Sequence, residues 1–145
     1  NYEINNIYYC TDNIIIDNFE VKKLPKERYI VMDYFILDMK EKKIAREERN
    51  QEKLANGDWV MAEFYATWCP HCQRMKPVVE EFKKLMEGTL EVVLVDIDQE
   101  PALTDFYTVE STPTFILFRK GEQLWRQSGE LPLERLERAV KGFKS

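Results

Sequence analysis

From residue 59 onward the chain alternates segments of strand and helix periodicity, and this alternation restricts its possible folds more than any other feature. The run from Leu90 to Ile97 is β-branched and almost continuously apolar, which predicts a strand buried on both faces. The segment before it carries one apolar stripe at helical spacing, which we expect to be buried; it is made of Met75, Val78, Val79, Phe82, Leu85 and Met86. The full predicted order is strand, helix, strand, helix, strand, strand, helix. Such an order favours an α/β fold whose sheet is parallel at first and is closed by an antiparallel hairpin.

The other predicted elements set the domain organisation. Strands are predicted at residues 59–66, 114–119 and 123–128, helices at residues 101–107 and from Pro132, and a turn at residues 120–122. Residues 1–27 predict one or two short strands, and residues 29–37 are apolar without a decisive period. Residues 38–56 predict a mostly solvated helix that Gly57 ends. We therefore expect an N-terminal extension over residues 1–28 and one domain over residues 29–145.

Composition excludes several function classes. The 145 residues include 21 Lys and Arg against 26 Asp and Glu, a net charge of -5, so we expect no nucleic-acid partner. The apolar stretches are far shorter than the ~18 residues of a membrane span. The single histidine, His71, lies between two cysteines, so a Ser-His-Asp hydrolase lacks a free base. The five glycines are not spaced as a phosphate-binding loop, and no cofactor is predicted.

Cys69 and Cys72 form a C-x-x-C pair at the junction of a predicted strand and a predicted helix. Pro70 suits the first helical position, which makes Cys69 the N-cap residue. Unpaired backbone donors and the positive end of the helix then favour the thiolate, so we expect a Cys69 pKa below that of a free thiol. Cys72 lies one turn into the helix and is expected to be more enclosed. The spacing predicts that Cys69 attacks a disulfide and that Cys72 resolves the mixed disulfide.

Two further residues near or outside this pair have alternative interpretations. His71, when protonated or donating a hydrogen bond, would stabilise the Cys69 thiolate and make the disulfide a stronger oxidant; the alternative is a solvated first-turn residue. Cys10 is expected to be an idle thiol or a small apolar residue.

Because the chain begins with Asn1, we expect that upstream residues were removed, and a signal peptide is one possible origin.

Residues 59–145 resemble the thioredoxin superfamily. The segments that carry the resemblance are Ala62–Cys69 (AEFYATWC), Pro77, Val95–Asp98, Thr112-Pro113-Thr114, Phe115–Phe118, Lys120-Gly121-Glu122 and Ser128-Gly129. The resemblance implies a thioredoxin-like three-layer α/β/α fold, with a central mixed sheet of four to five strands flanked by helices. It also implies that the C-x-x-C pair is redox-active.

The resemblance assigns roles to residues outside the pair. Pro113 would follow a cis peptide bond beside the cysteines, and the backbone of Thr112 would pair with an extended substrate, with Trp68 also on the substrate side. Glu63 occupies the place of a buried acid that helps Cys72 lose its proton. The alternative is a strand carboxylate that reaches solvent. If Glu63 is buried, its pKa should be raised by desolvation.

Three features depart from the thioredoxin pattern and leave the redox direction open. Pro70-His71 replaces the usual Gly-Pro and resembles the dipeptide of periplasmic disulfide oxidases. A threonine before Pro113 is closer to isomerase-like members. Leu94 stands where thioredoxins have a lysine near the buried acid.

The sequence therefore predicts a thiol–disulfide oxidoreductase that exchanges a Cys69–Cys72 disulfide or dithiol with cysteine-containing protein substrates. We expect a monomer that is served by a redox partner protein. The dipeptide favours an oxidase or isomerase outside the cytoplasm, in a bacterial periplasm or cell envelope. An extracytoplasmic reductase, as in cytochrome maturation, is the close alternative, and a cytoplasmic location stays open.

Two other classes receive less support from the sequence. A structural zinc site needs four ligands, whereas the chain offers one cysteine pair, so no metal site is predicted. A redox-silent interaction domain would have no need to keep Cys69, Cys72, Trp68 and Pro113 together.

Overall fold

The N-terminal segment forms a small antiparallel sheet. In the computed structural model, which describes residues 8–11, 14–17, 20–23 and 26–144 and the side chains of residues 38–144, its strands are β1 (Tyr8–Thr11), β2 (Ile14–Asp17) and β3 (Glu20–Lys23). Their order is β1-β2-β3, with Cys10 paired in register with Ile15. The prediction of one or two strands was therefore wrong. A connection of two residues is enough to join two antiparallel strands, so a segment of this length has room for three strands. The expectation for the Cys10 side chain lies outside the described residues.

One helix, α1 (Lys26–Asn56), follows these strands. It includes residues 29–37, whose apolar character left strand and helix open. As predicted, it ends before Gly57, whose N–H donates to the Lys53 carbonyl at 2.9 Å. The chain forms two compact units, residues 1–44 and 45–145. The domain boundary at residue 28 stays a prediction. No helix in the described part of the chain is long and apolar enough to cross a membrane.

The second unit carries the alternating elements that the sequence predicted. After the end of α1 they are β4 (Trp59–Tyr65), α2 (Pro70–Leu85), β5 (Glu91–Asp96), α3 (Pro101–Phe106), β6 (Thr114–Arg119), β7 (Glu122–Ser128) and α4 (Leu133–Lys144). The sheet order is β5-β4-β6-β7. β4 pairs with β5 in parallel and with β6 antiparallel, and β6 pairs antiparallel with β7. The predicted α/β fold with a mixed sheet is confirmed, with four strands in this sheet.

The core lies on both faces of the sheet because successive side chains of β4 point to opposite sides. Trp59 and Met61 pack with apolar residues of α2 and α4, which include Phe82 and Leu136. The intervening residues pack on the other face, with α3 and the end of α1; this second cluster contains Leu54, Val60, Ala62, Phe64, Val93, Val95, Leu103, Tyr107, Ile116 and Phe118. By the same alternation Glu63 belongs to the face that α2 covers. The strand thus carries one carboxyl group toward the helix of the cysteine pair.

Two burial predictions were wrong. β5 is not buried on both faces: Leu94 is 44% exposed, because β5 is the edge strand of the four-stranded sheet and helices cover its other face more completely. Leu85 is 53% exposed, although four members of its stripe, among them Met75 and Phe82, are buried. Val78, also in the stripe, is only half-buried, so the stripe is not covered along its whole width.

The β6–β7 hairpin confirms the predicted turn. Lys120 and Gly121 have positive φ values of 47° and 86°. Two such residues in succession match the twist of the flanking strands. A Cβ atom on Gly121 would also lie 2.5 Å from the Ala55 carbonyl oxygen, so the position needs glycine for space as well as for conformation.

Candidate active site

The cysteine pair lies where β4 leads into α2. Cys69 is the N-cap residue of α2, with extended backbone angles, and Pro70 occupies the first turn, as predicted. The Cys69 carbonyl accepts a hydrogen bond from the N–H of Gln73 at 3.1 Å, which begins the helix. Cys72 is buried one turn into α2. Both cysteines are free thiols and pack with Ala66.

The two thiols differ in acidity. The Cys69 pKa is lowered to about 7, first by a side-chain hydrogen bond with Thr112 and then by backbone and thiol contacts with Cys72 and the backbone of His71, against the effect of burial. As a thiol, Cys69 also donates to the Thr112 carbonyl oxygen at 3.6 Å; this second contact favours the protonated form and is not the cause of the lowered pKa. The Cys72 pKa is raised, chiefly by burial. Both residues are buried, 4% and 6% exposed. Burial is the leading cause of the Cys72 shift but not of the Cys69 shift, which agrees with the expectation that Cys72 is the more enclosed thiol.

The loop that carries Thr112 is held firmly beside the pair. The Thr112–Pro113 peptide bond is cis. The Thr114 hydroxyl donates to the Ser111 carbonyl at 2.7 Å and lies 2.8 Å from the Ser128 hydroxyl. The Gly129 N–H donates to the Pro113 carbonyl at 2.8 Å. The backbone of this loop is therefore fixed on the β7 side while Thr112 contacts Cys69.

Trp68 places a large apolar surface next to Cys69. Its side chain is 65% exposed, and its indole N–H donates to the Asp98 carboxylate at 2.8 Å. Asp98 is oriented in turn, since its backbone N–H donates to Asp96 at 2.9 Å. The indole is thus held in one orientation and left open to a partner.

Glu63 is buried, so its carboxyl group does not reach solvent as the alternative interpretation expected. The residue is 5% exposed, and desolvation raises its pKa from the ordinary 4.5 to about 7. Its register partner on β5 is Leu94, so no ammonium group faces it from that position. Glu63 and Cys72 line the same cavity of about 390 Å³, with Leu94 and Lys76 also in the wall. The carboxyl group of Glu63 and Cys72 therefore border the same cavity.

The His71 side chain is 59% exposed, as the alternative of a solvated first-turn residue expected, and it contacts Glu130 and Arg74. Its Nδ1 lies 2.7 Å from Glu130 Oε2 and 2.9 Å from Arg74 Nη2. Among the described residues no hydrogen bond joins its imidazole to Cys69; the backbone of His71 makes that contact instead. The sequence did not reveal Arg74 and Glu130 as parts of the site. The spacing of His71 and Arg74, three residues apart on a helix, was the available signal for one of them.

The side chains described here contain no group of three or more His, Cys, Asp or Glu residues placed to hold a metal ion.

The fold and the site together define an α/β dithiol protein, in which an acidic thiol caps a helix beside a cis-proline loop.

Comparisons with known proteins identify the family. The thioredoxin family model matches residues 41–142. The chain is 39% identical over 85 residues to thioredoxin Y2, chloroplastic, of Arabidopsis thaliana, which is 56% of this chain and 51% of that protein. It is 32% identical over 90 residues to thioredoxin 1 of a Nostoc species, which is 62% of this chain and 84% of that protein. A mutant thioredoxin from Halobacterium salinarum is similar in structure, with a TM-score of 0.55, 37% identity, and coverage of 61% of this chain and 76% of that one. The chain belongs to the thioredoxin family.

These comparisons also limit what is transferred from relatives. The chain spans about half the length of the curated plant thioredoxins that it matches, between 46% and 51%. Those relatives are named as chloroplastic, and they give no support to a periplasmic location.

Proposed function

We propose that this chain is a thiol–disulfide oxidoreductase that acts on cysteine-containing protein substrates through Cys69 and Cys72. The observation that carries the proposal is the buried N-cap Cys69, with a pKa lowered to about 7, three residues before a thiol of raised pKa. A thiol with a pKa near ambient pH is the most effective attacking group, because it combines a large thiolate fraction with high nucleophilicity.

In the reducing direction, the Cys69 thiolate attacks one sulfur of a substrate disulfide. A Cys69–substrate disulfide forms, the substrate S–S bond breaks, and one substrate thiolate leaves. Cys72 then gives its proton to the Glu63 carboxylate, and its sulfur attacks Sγ of Cys69. The Cys69–substrate bond breaks, and the second substrate sulfur leaves as a thiolate that takes up a proton. The Cys69–Cys72 disulfide then remains until a redox partner protein reduces it with two electrons.

Glu63 suits the role of proton acceptor because of its acidity. A general base is most effective when its pKa lies near the working pH, and burial gives this carboxyl group a pKa of about 7. The cavity that it shares with Cys72 supplies the route for the proton.

Trp68, Thr112 and Pro113 are proposed to bind the substrate. Thr112 adjoins Cys69, so an extended peptide that pairs with its backbone would bring a disulfide to the attacking sulfur. The exposed indole of Trp68 offers apolar contact at the same place. We propose that the chain acts as a monomer in this exchange.

We propose the reducing direction first. The Cys69 pKa of about 7 is close to the ~7 of thioredoxin and far from the ~3.5 of a strong disulfide oxidase. The oxidising direction, outside the cytoplasm, is the second candidate, and the Pro70-His71 dipeptide favours it. The reduction potential separates the two, since a value near about -270 mV indicates a reductase and a value above about -180 mV indicates an oxidase or isomerase.

Cysteine variants test the proposal with insulin disulfides as the substrate. Cys69→Ser should abolish reduction, because the attacking thiolate is lost. Cys72→Ser should accumulate a mixed disulfide between Cys69 and the substrate, visible by mass spectrometry and sensitive to dithiothreitol. Cys10→Ser is the matched control and should retain the parent rate. Continued insulin reduction by Cys69→Ser would refute the proposal.

A further inference from the structure

Three consecutive residues after β7 connect separate parts of the site. Gly129 donates its N–H to the Pro113 carbonyl, and Leu131 donates its N–H to the Met75 sulfur at 3.3 Å. Between them, the side chain of Glu130 contacts the first turns of α2. The loop that fixes the backbone beside Cys69 is thus tied to the helix that Cys69 caps.

The Glu130 carboxylate binds Arg74 in a bidentate arrangement. Arg74 Nε donates to Oε1 and Nη2 donates to Oε2, both at 2.9 Å. Oε2 also lies 2.7 Å from Nδ1 of His71. Two parallel bonds between a guanidinium and a carboxylate fix the geometry of both groups. Arg74, first among the causes, lowers the Glu130 pKa to about 2, so Glu130 stays ionised throughout the physiological range.

Arg74 lies on α2 five residues after the N-cap Cys69, about 7.5 Å along the helix axis at 1.5 Å per residue, so its charge is close to the Cys69 sulfur. The Arg74 pKa is raised, first by the hydrogen bond with Glu130 and, among smaller causes, by attraction to the Cys69 thiolate. By reciprocity, the guanidinium stabilises that thiolate. Glu130 carries the opposite charge on the same guanidinium and therefore offsets part of this stabilisation.

Other charged groups near the cysteines lie in different places. Glu63 and Lys76 line the cavity beside Cys72, and Asp98 binds the indole of Trp68. The exposed cluster of His71, Arg74 and Glu130 is therefore separate from these groups.

We propose that Glu130 is a positioning residue that holds Arg74 and His71 and limits the positive charge acting on Cys69, and thereby sets the reduction potential of the Cys69–Cys72 couple. This inference rests on the proposed function, since it concerns the potential of the same dithiol. Glu130 makes no contact with the reacting sulfurs and acts through its two partners.

Substitutions that remove the charge of Glu130 or of Arg74 should shift the Cys69 pKa in opposite directions. In Glu130→Gln, Arg74 is no longer neutralised, so the Cys69 pKa should fall by about 0.3–0.5 units, the scale expected for solvent-exposed charges. In Arg74→Gln, the Cys69 pKa should rise by a similar amount, and Arg74→Lys should return it toward the parent value. The equilibrium with glutathione should move by up to about threefold, toward the reduced protein in Glu130→Gln and toward the disulfide in Arg74→Gln.

The measurements are the pH dependence of iodoacetamide alkylation of the reduced protein and the redox equilibrium with glutathione. Glu122→Gln is the matched control, because it makes the same change roughly 20 Å away along β7, and it should shift neither quantity. Unchanged Cys69 acidity in Glu130→Gln, or shifts of the same sign in Glu130→Gln and Arg74→Gln, would overturn the inference. Alkylation needs no turnover, so this result is independent of whether Cys69→Ser loses insulin reduction.

Discussion

The burial of Glu63 has a predictable effect on stability. Its pKa is about 7 in the folded chain, against the ordinary 4.5. At about 1.36 kcal/mol per pKa unit, ionisation of the buried carboxyl group costs the folded state about 3 kcal/mol. Glu63→Gln removes the charge and keeps the size of the side chain. The variant should therefore be more stable than the parent by about 3 kcal/mol above pH 8, and close to the parent at pH 4.

The sign follows from proton binding in the two states. Because the folded pKa is raised, the folded chain holds the Glu63 proton at pH values where the unfolded chain has lost it. The parent therefore loses stability as the pH rises from 4.5 to 7, and the loss levels off above that range. Below pH 4.5 the carboxyl group is protonated in both states, and Glu63 makes no pH-dependent contribution.

Urea unfolding of the reduced proteins between pH 4 and pH 9 measures this difference. Trp59, Trp68 and Trp125 are the only tryptophans, and all lie in the unit of residues 45–145, so their fluorescence follows that unit. Glu122→Gln controls for a general effect of charge removal and should show no pH-dependent difference. A stability gain in Glu63→Gln that is the same at pH 4 and pH 8 would refute the assigned acidity, and a loss at pH 8 would refute the burial argument itself.

Three further changes test the surroundings of the site and the core. Leu94→Lys places an ammonium group at the register partner of Glu63 and should lower the Glu63 pKa, which is measurable as a smaller stability loss between pH 4.5 and 7. Asn50→Ala removes the 2.6 Å hydrogen bond to the buried Glu100 carboxylate and should destabilise the chain by about 2 kcal/mol in urea unfolding; a loss below about 0.5 kcal/mol would contradict the contact. Leu136→Ala removes a fully buried side chain between α4 and the sheet and should cost about 3 kcal/mol by the same method, whereas a loss typical of a surface site would contradict its burial.

Local signals were enough to predict the framework of the site. Pro70 identified the first turn of α2 and hence the N-cap position of Cys69, because both preferences depend only on neighbouring backbone groups. The order of strands and helices from residue 59 followed from periodicity, and it is confirmed. Residues 29–37 were ambiguous because an apolar run without a clear period is compatible with either a strand or a helix. They belong to α1.

The features that the sequence did not reveal depend on contacts between residues far apart in the chain. Glu130 follows Arg74 by 56 residues, and their pairing depends on where the β7 strand ends relative to α2. The exposure of Leu94 depends on the position of β5 at the sheet edge, which no local pattern encodes. The largest effect on the Cys69 pKa likewise comes from Thr112, on a different loop, in addition to the helix terminus that the sequence indicated.

The same burial links stability and chemistry in this site. Desolvation raises the pKa of Glu63 and of Cys72, which line one cavity, so a charge on either group is costly there. A desolvated carboxylate lowers the stability of the folded chain, but it is a stronger base toward the Cys72 thiol than a solvated carboxylate would be. Glu63→Gln should therefore gain stability at pH 8 and lose the rate at which the mixed disulfide is resolved. Leu94→Lys should also raise the stability at pH 8 and lower the rate at which the mixed disulfide is resolved, by smaller amounts. The reason is that a carboxylate paired with an ammonium group ionises at a lower free-energy cost and is a weaker base. If the two variants gain stability but resolve the mixed disulfide at the parent rate, Glu63 is a tolerated strand residue and takes no part in the proton transfer.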